Sequence, residues 1–425
     1  IVAARRTYAD MLMKLFAKPD MRNNTLYFYD LNAKVNVDAG AKDKLFLSGY
    51  FGRDAIGLGT TLGIDWGNAT GTARWNHIYS PRWFSNTSLI YSNYNYGVSF
   101  ETQAQDFKIT SVLRDINLTH ELSFYPKPGP KWKAGFSSIR HTITPGQVES
   151  SGFSGMNDFA IQDQYTWENA VFTSWDKTVT DRLSVNLGLR VSGLSVLGKG
   201  EFYTFDNEGE VTSTTSRGNG VIVHTYINPE PRLSFSYLLD EFSSVKGSYA
   251  RMTQNMHLLS NSTSGNPTDR WIGTSNIIKP EIGDQVSGGY FRKLKDGAYE
   301  VSGEVYYKWM QNQIDYRNGA DILLNQYIEG ELLFGKGRAY GLEVMARKNS
   351  GRFTGWIGYT LSRTERHIDG INNGNWYNAR QDRTHDVSIV GTYELNDRWS
   401  FSALWTYNTG NAVTFPSGKY TVDDQ

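Results

Sequence analysis

The chain has 425 residues, and its 43 basic and 43 acidic side chains cancel, so it carries no electrostatic footprint for nucleic acid. It holds no cysteine, which removes disulfide frameworks and thiolate sites and neither demands nor forbids an envelope location. No uncharged apolar run approaches the ~18 residues of a spanning helix, and a mean hydropathy of -0.48 would hide the apolar half of any alternating strand.

In chain order, a strand is expected over 1–7 and a short helix over 8–16, where the character turns helical. Strands at 26–37 and 44–54 flank Asp38-Ala39-Gly40-Ala41-Lys42-Asp43, and those at 66–79 and 83–97 flank Ser80-Pro81-Arg82. The next pairs are 107–125 with 132–146, 163–177 with 182–195, and 221–239 with 244–258 about Asp240-Glu241-Phe242-Ser243. Then come 282–294 with 298–315 about Lys295-Asp296-Gly297, 333–348 with 352–366, and 382–395 with 398–413 about Leu395-Asn396-Asp397-Arg398. Long polar loops separate the hairpins, the longest at 198–220 and 260–280, followed by 316–330 and 367–380. These are read as structureless, and loops of that kind are uncommon unless functional.

Each strand has one apolar and one polar face. Leu183, Val185, Leu187, Leu189 and Val191 oppose Ser184, Asn186 and Arg190; Tyr299, Val301, Val305, Tyr307 and Trp309 oppose Glu300, Ser302, Glu304 and Lys308. A soluble sandwich alternates too, but its strands run to ~5–6 residues, whereas many of these reach ~12–18, beyond the ~9–11 needed to cross a bilayer. Aromatic residues make up 14% of the chain, and Trp83, Tyr125, Trp132, Phe242 and Trp399 lie beside the tight turns, where an interfacial girdle would sit. Short turns at one end and long loops at the other complete the pattern of a transmembrane antiparallel β-barrel, with short periplasmic turns and extracellular loops.

The expected strands number 17, an odd count, whereas single-chain bacterial barrels close with an even one. The chain opens at Ile1 without a signal peptide and closes at Asp424-Gln425 without a terminal aromatic. Residues 1–425 therefore read as an incomplete barrel domain within a longer protein.

Catalysis has little support. No two of the seven histidines sit at metal-ligand spacing, so neither a metal site nor a cofactor is expected. Glu300 and Glu304 stand ~13 Å apart on one face, beyond glycosidase geometry, and are read with Ser184, Asn186, Arg190 and Lys308 as lumen-facing. Ligand contact is expected at upper strand ends and loops, from Arg251, Gln254, His257, Asp269, Arg270, Trp271, Tyr316, Arg317, Trp376, Tyr377 and Arg380. Arginine suits carboxylates or anionic chelates, and the aromatics suit flat ligand faces.

PRLSFSYLLDEFSSVKGSYARMTQNMHLLSN (231–261), IKPEIGDQVSGGYFR (278–292), GKGRAYGLEV (335–344), TGWIGYTLSRTER (354–366) and ARQDRTHDVSI (379–389) resemble the middle barrel of TonB-dependent outer-membrane receptors. ARRTYAD (4–10) and LYFYDLNAKV (26–35) resemble the early strands of the Bacteroidetes type, which has a carboxypeptidase-regulatory-like N-terminal extension. The resemblance implies a barrel of about 22 strands around a plug, in the outer membrane of a Gram-negative bacterium. Its function would be import of a scarce ligand, a ferric chelate, peptide or oligosaccharide, with energy relayed by TonB. The plug, the TonB docking segment and the last strands would lie outside this chain. Implied partners are outer-membrane lipid and lipopolysaccharide, the protein's own plug, and TonB. The FRAP and NPNL signatures of haem receptors are missing, which disfavours haem. The alternatives are a structural or docking barrel in a larger assembly, with surface lipoproteins or other envelope subunits as partners, and a passive porin.

Overall fold

The computed structural model describes residues 1–59, 61–101, 105–126, 129–152, 159–259, 269–322 and 325–413. The expected turn tip at 127–128, loop residues 260–268 and chain end 414–425 lie outside them. The wall is built from β1 (Val2–Arg6), β2 (Thr25–Asp38), β3 (Asp43–Leu58), β4 (Leu62–Ser80), β5 (Trp83–Glu101), β6 (Gln105–Phe124) and β7 (Lys131–Gly152). After the two-residue β8 (Phe159–Ala160) come β9 (Gln164–Thr180) and β10 (Leu183–Leu197). Then β11 (Gly200–Phe205) and β12 (Val211–Arg217) leave the wall, and β13 (Ile222–Leu238) and β14 (Ser243–Gln254) resume it. β15 (Met256–Leu259) and β16 (Arg270–Gly273) leave it again before β17 (Glu281–Leu294), β18 (Tyr299–Tyr316), β19 (Leu332–Lys348) and β20 (Phe353–Ile368). The last strands are β21 (Tyr377–Asn378), β22 (His385–Asn396) and β23 (Trp399–Asn408).

These form one antiparallel sheet of 19 strands, in which β8 and β21 are short additions to β7 and β20 and every other strand pairs with the next. All the strands expected from alternation are present, and the helix is α1 (Ala9–Phe16). No ladder joins β1 to β23 among the described residues. Strand lengths reach 22 residues in β7 and 20 in β6.

Register fixes the faces, because residues directly opposite each other share one. Val185, Phe235, Gly247, Gly288, Val305, Leu342 and Leu361 form one row across β10 to β20. The next row toward the loops is Leu187, Leu233, Tyr249, Val286, Tyr307, Tyr340 and Arg363. Leu187 and Leu189 are exposed, as is Val305 at 57%, so among the described residues no second sheet covers this apolar face. Trp83, Tyr125, Trp132, Phe242 and Trp399 are exposed as well.

The long loops differ from expectation, for they hold structure of their own. β11 and β12 make a hairpin in 198–220, and β15 pairs with β16 across the following long loop. The first follows from local chemistry: Thr-Ser-Thr-Thr favours strand, Asp206 Oδ1 accepts from the Glu210 amide at 2.9 Å, and Gly209 adopts φ +88° at the turn. β14 also stops earlier than its pattern suggests. At Asn255 the chain is drawn off the wall, its side-chain amide donating to Glu168 Oε2 at 2.7 Å and its carbonyl accepting from Thr274 N. β15, β16 and the segment at 328–332 then bury Leu259, Ile272, Ile278, Ile314, Ile328 and Leu332 in one cluster.

Candidate functional site

A cleft enclosing about 1120 Å³ of open space lies where β14, β17, β18 and β20 reach the long loops. Gln254, His257, Tyr316 and Arg380, expected from sequence as ligand contacts, line it together with Lys308, expected only as a lumen-facing charge, and with Glu281, Gln313, Asp315 and Arg366. Asp315 is its hub. The carboxylate accepts from Arg380 Nη2 at 3.0 Å, Tyr377 OH at 3.1 Å and Arg366 Nη1 at 3.5 Å. Two guanidinium groups on one carboxylate leave a positive remainder, and Lys308 adds another from the wall, with no ion-pair partner among the described residues. Lys308 reaches this position over Gly283, where an added methyl would come within 2.8 Å of Lys308 Cε.

His257 is 3% exposed, and its Nε2 stands 3.3 Å from Thr274 Oγ1. Its Nδ1 lies 3.8 Å from the Glu281 carboxylate, too far for a hydrogen bond, and has no partner. Arg366 Nε is likewise buried and unbonded. Unmet polar groups at a cleft of net positive charge suit an anionic, hydrogen-bonding ligand.

Sequence reasoning missed Asp315, Arg366 and Glu281. Asn312 adopts φ 56° and its amide donates to the Pro280 carbonyl, which interrupts the register of β18 against β19. That bulge ended the visible alternation just before Asp315.

Other expected contacts sit elsewhere. Arg251 lies on the apolar side of the wall, in the Tyr249 alternation, and binds Asp284 through two bonds of 2.7 and 3.0 Å. Trp376 covers the Arg338 guanidinium at 4.2 Å, also on that side, while Tyr377 turns to Asp315. Asp269 and Arg270 are buried beside β15, with Arg270 Nη1 donating to the Asn325 carbonyl at 3.2 Å and Trp271 opposite Leu258. Burial pushes the Arg270 guanidinium below its ordinary pKa. Arg317 ties the Glu208 carbonyl to Glu331. Ser184, Asn186, Glu300, Glu304 and Lys308 lie in the register rows that alternate with the apolar ones, and Arg190 is held between Glu168 at 3.0 Å and Glu230 at 3.6 Å rather than left to water.

The loops around the cleft interlock. Gln162 exchanges hydrogen bonds with the backbone of Glu201, Gln164 Oε1 accepts from Gly273 N, and Asn276 donates to the Tyr203 carbonyl. Tyr203 OH accepts from Gln326, and its ring meets Tyr327 edge-on at 5.1 Å. Ser275 Oγ donates to Glu329 at 3.1 Å, and burial pushes that carboxyl up to about 7.

The fold is shared widely. The alcaligin outer-membrane receptor FauA of Bordetella pertussis superimposes with a TM-score of 0.60 at 13% identity, covering 91% of this chain and 61% of that one. The ferric-catecholate import receptor Fiu of E. coli K12 gives 0.62 at 13%, covering 90% and 64%. The copper transporter OprC gives 0.67 at 12%, covering 90% and 60%. The chain thus spans about three fifths of the length of these structures. No curated protein sequence matches it significantly. The family described as TonB dependent receptor-like, beta-barrel, a family of receptors rather than enzymes, matches residues 15–424. With that match over a sheet of this order and register, the chain belongs to the TonB-dependent receptor β-barrel family.

Proposed function

We propose that the chain is the wall and mouth of an outer-membrane transporter that captures a scarce anionic ligand for TonB-driven uptake in a Gram-negative bacterium. The observation that carries this reading is the cleft itself, where Arg366 and Arg380 share the Asp315 carboxylate and Lys308 and the unbonded Nδ1 of His257 line the same space. Three cations there face two carboxylates, Asp315 and Glu281. The bare apolar face and the exposed aromatic residues beside the turns support placement in the outer membrane. Among the described residues the outer edges of β1 and β23 have no partner strand, which supports a full-length protein that supplies closing strands, because strand edges facing lipid leave amides without partners. A plug and a TonB docking segment would complete it. A porin would need an open mouth, and the interlocked loops weigh against one.

Calorimetry on the full-length protein tests the ligand class. Ferric citrate, as an anionic probe, should bind, and Lys308→Met or Arg380→Gln should weaken it about tenfold, ~1.4 kcal/mol. Equal binding of a neutral maltodextrin, with both variants indifferent, would sink the reading.

A further inference from the structure

The apolar side of the wall changes character in register as it approaches the loops. Above the row of Tyr249, Tyr307 and Tyr340 comes a charged row of Arg251, Asp284, Trp309, Arg338 and Glu365, and then Lys336 opposite His367. On β14 and β17 this rim is neutral, since Arg251 and Asp284 satisfy each other and Tyr249 OH adds a third bond. On β19 and β20 it is not. Arg338 and Arg363 share one carboxylate, Glu365, and Lys336 stands beside them without an acid of its own, leaving a surplus of two positive charges.

The way that carboxylate is used leaves donors over. Arg338 binds it through Nε at 2.8 Å and Arg363 through Nε at 3.0 Å. Among the described residues neither Nη of Arg338 nor Nη1 of Arg363 has a hydrogen-bond partner, and Lys336 is exposed and unpaired. Trp376 packs on Arg338 at 4.2 Å and holds that guanidinium on the wall. Immediately below, Leu342, Val344, Leu361 and Ile357 are exposed on the same face. A bare apolar surface topped by unspent guanidinium donors matches an amphiphile with acyl chains below and an anionic headgroup above.

We propose that Lys336, Arg338 and Arg363 bind the phosphorylated headgroup of an outer-leaflet lipid. The site rests on the outer-membrane placement and not on transport. Arg338 stands one two-residue step, ~6.6 Å, from Lys336 along β19 and one such step plus a strand spacing of ~4.8 Å from Arg363 on β20. A phosphate seated at Arg338 therefore lies within side-chain reach of the other two, which are themselves ~14 Å apart. The bond-poor Nη nitrogens supply the fork that a phosphate accepts.

Native mass spectrometry of the full-length protein in detergent, titrated with bisphosphorylated lipid A, tests this. Binding should fall about tenfold for the dephosphorylated lipid and for Lys336→Glu, a change outside every ion pair. Arg363→Ala should act in the same direction, while Lys295→Ala at the opposite end should change nothing. Millimolar inorganic phosphate should not displace the lipid. Unchanged affinity in folded Lys336→Glu, equal binding of the dephosphorylated lipid, or displacement by free phosphate would each overturn the assignment. Protein that inserts into vesicles yet fails these tests would leave the membrane reading intact and remove only this site.

Discussion

Val305 and Ser302 stand three residues apart on β18 and face opposite ways, so they isolate the effect of the surrounding medium. Val305→Arg should destabilise the barrel by ~2–4 kcal/mol near the bilayer midplane, and Ser302→Arg by much less, because only the first guanidinium loses its hydration. Folding titrations into lipid vesicles measure the difference, and equal penalties would reverse the face assignment. Asp315 makes a second residue-scale test. Asp315→Ala removes the acceptor of Arg380, Arg366 and Tyr377 together and should loosen residues 377–382 by ~2–3 kcal/mol in hydrogen exchange. Tyr377→Phe removes one of those bonds and should cost ~1 kcal/mol. Alternation alone exposed the Val305 face, because a two-residue period is local. Asp315 stayed hidden, since the bulge at Asn312 breaks that period and its partners Arg366 and Arg380 lie 51 and 65 residues away.

The wall strands and the loop hairpins differ in how they are specified. A strand such as β10 announces itself in its own residues, whereas β11 and β16 are held by partners 123 and 109 residues distant. Tyr203 is the clearest case, joined to Asn276, Gln326 and the Tyr327 ring. Tyr203→Ala should release the β11–β12 hairpin by ~1–2 kcal/mol, seen as faster proteolysis near 206–210 while the wall stays protected. Unchanged cleavage would mean the hairpin is held by other contacts. Glu329 adds a pH dependence to the same cluster. Burial raises its folded pKa to about 7 against an ordinary 4.5, so the folded cluster retains a proton that the unfolded one loses. Stability from this group is full below about 4.5 and declines as pH rises to about 7. Hydrogen exchange at 272–278 and 326–332 should speed up across that window, and Glu329→Gln should flatten the profile.

For the whole molecule, the register is the quantity to verify, and a chain without cysteine makes that simple. Ser248 and Ser287 oppose each other on β14 and β17 with their hydroxyls 2.7 Å apart. A Ser248→Cys, Ser287→Cys protein should oxidise to a disulfide, while Ser248→Cys with Val286→Cys, on opposite faces, should not. The reverse result would shift the sheet by one residue and turn every face over. The interlocked loops bear on how such a receptor can be altered. Gly273 depends on Gln164, Tyr203 on Gln326, and Arg317 on Glu208, each pair more than 100 residues apart. Grafting any one of these loops from a relative would strand its contacts on its neighbours. New ligand preference therefore has to be acquired either by substitutions inside the cleft or by transplanting the interlocked loops as a block, and a lineage that diversifies its cargo should show those loops inherited together.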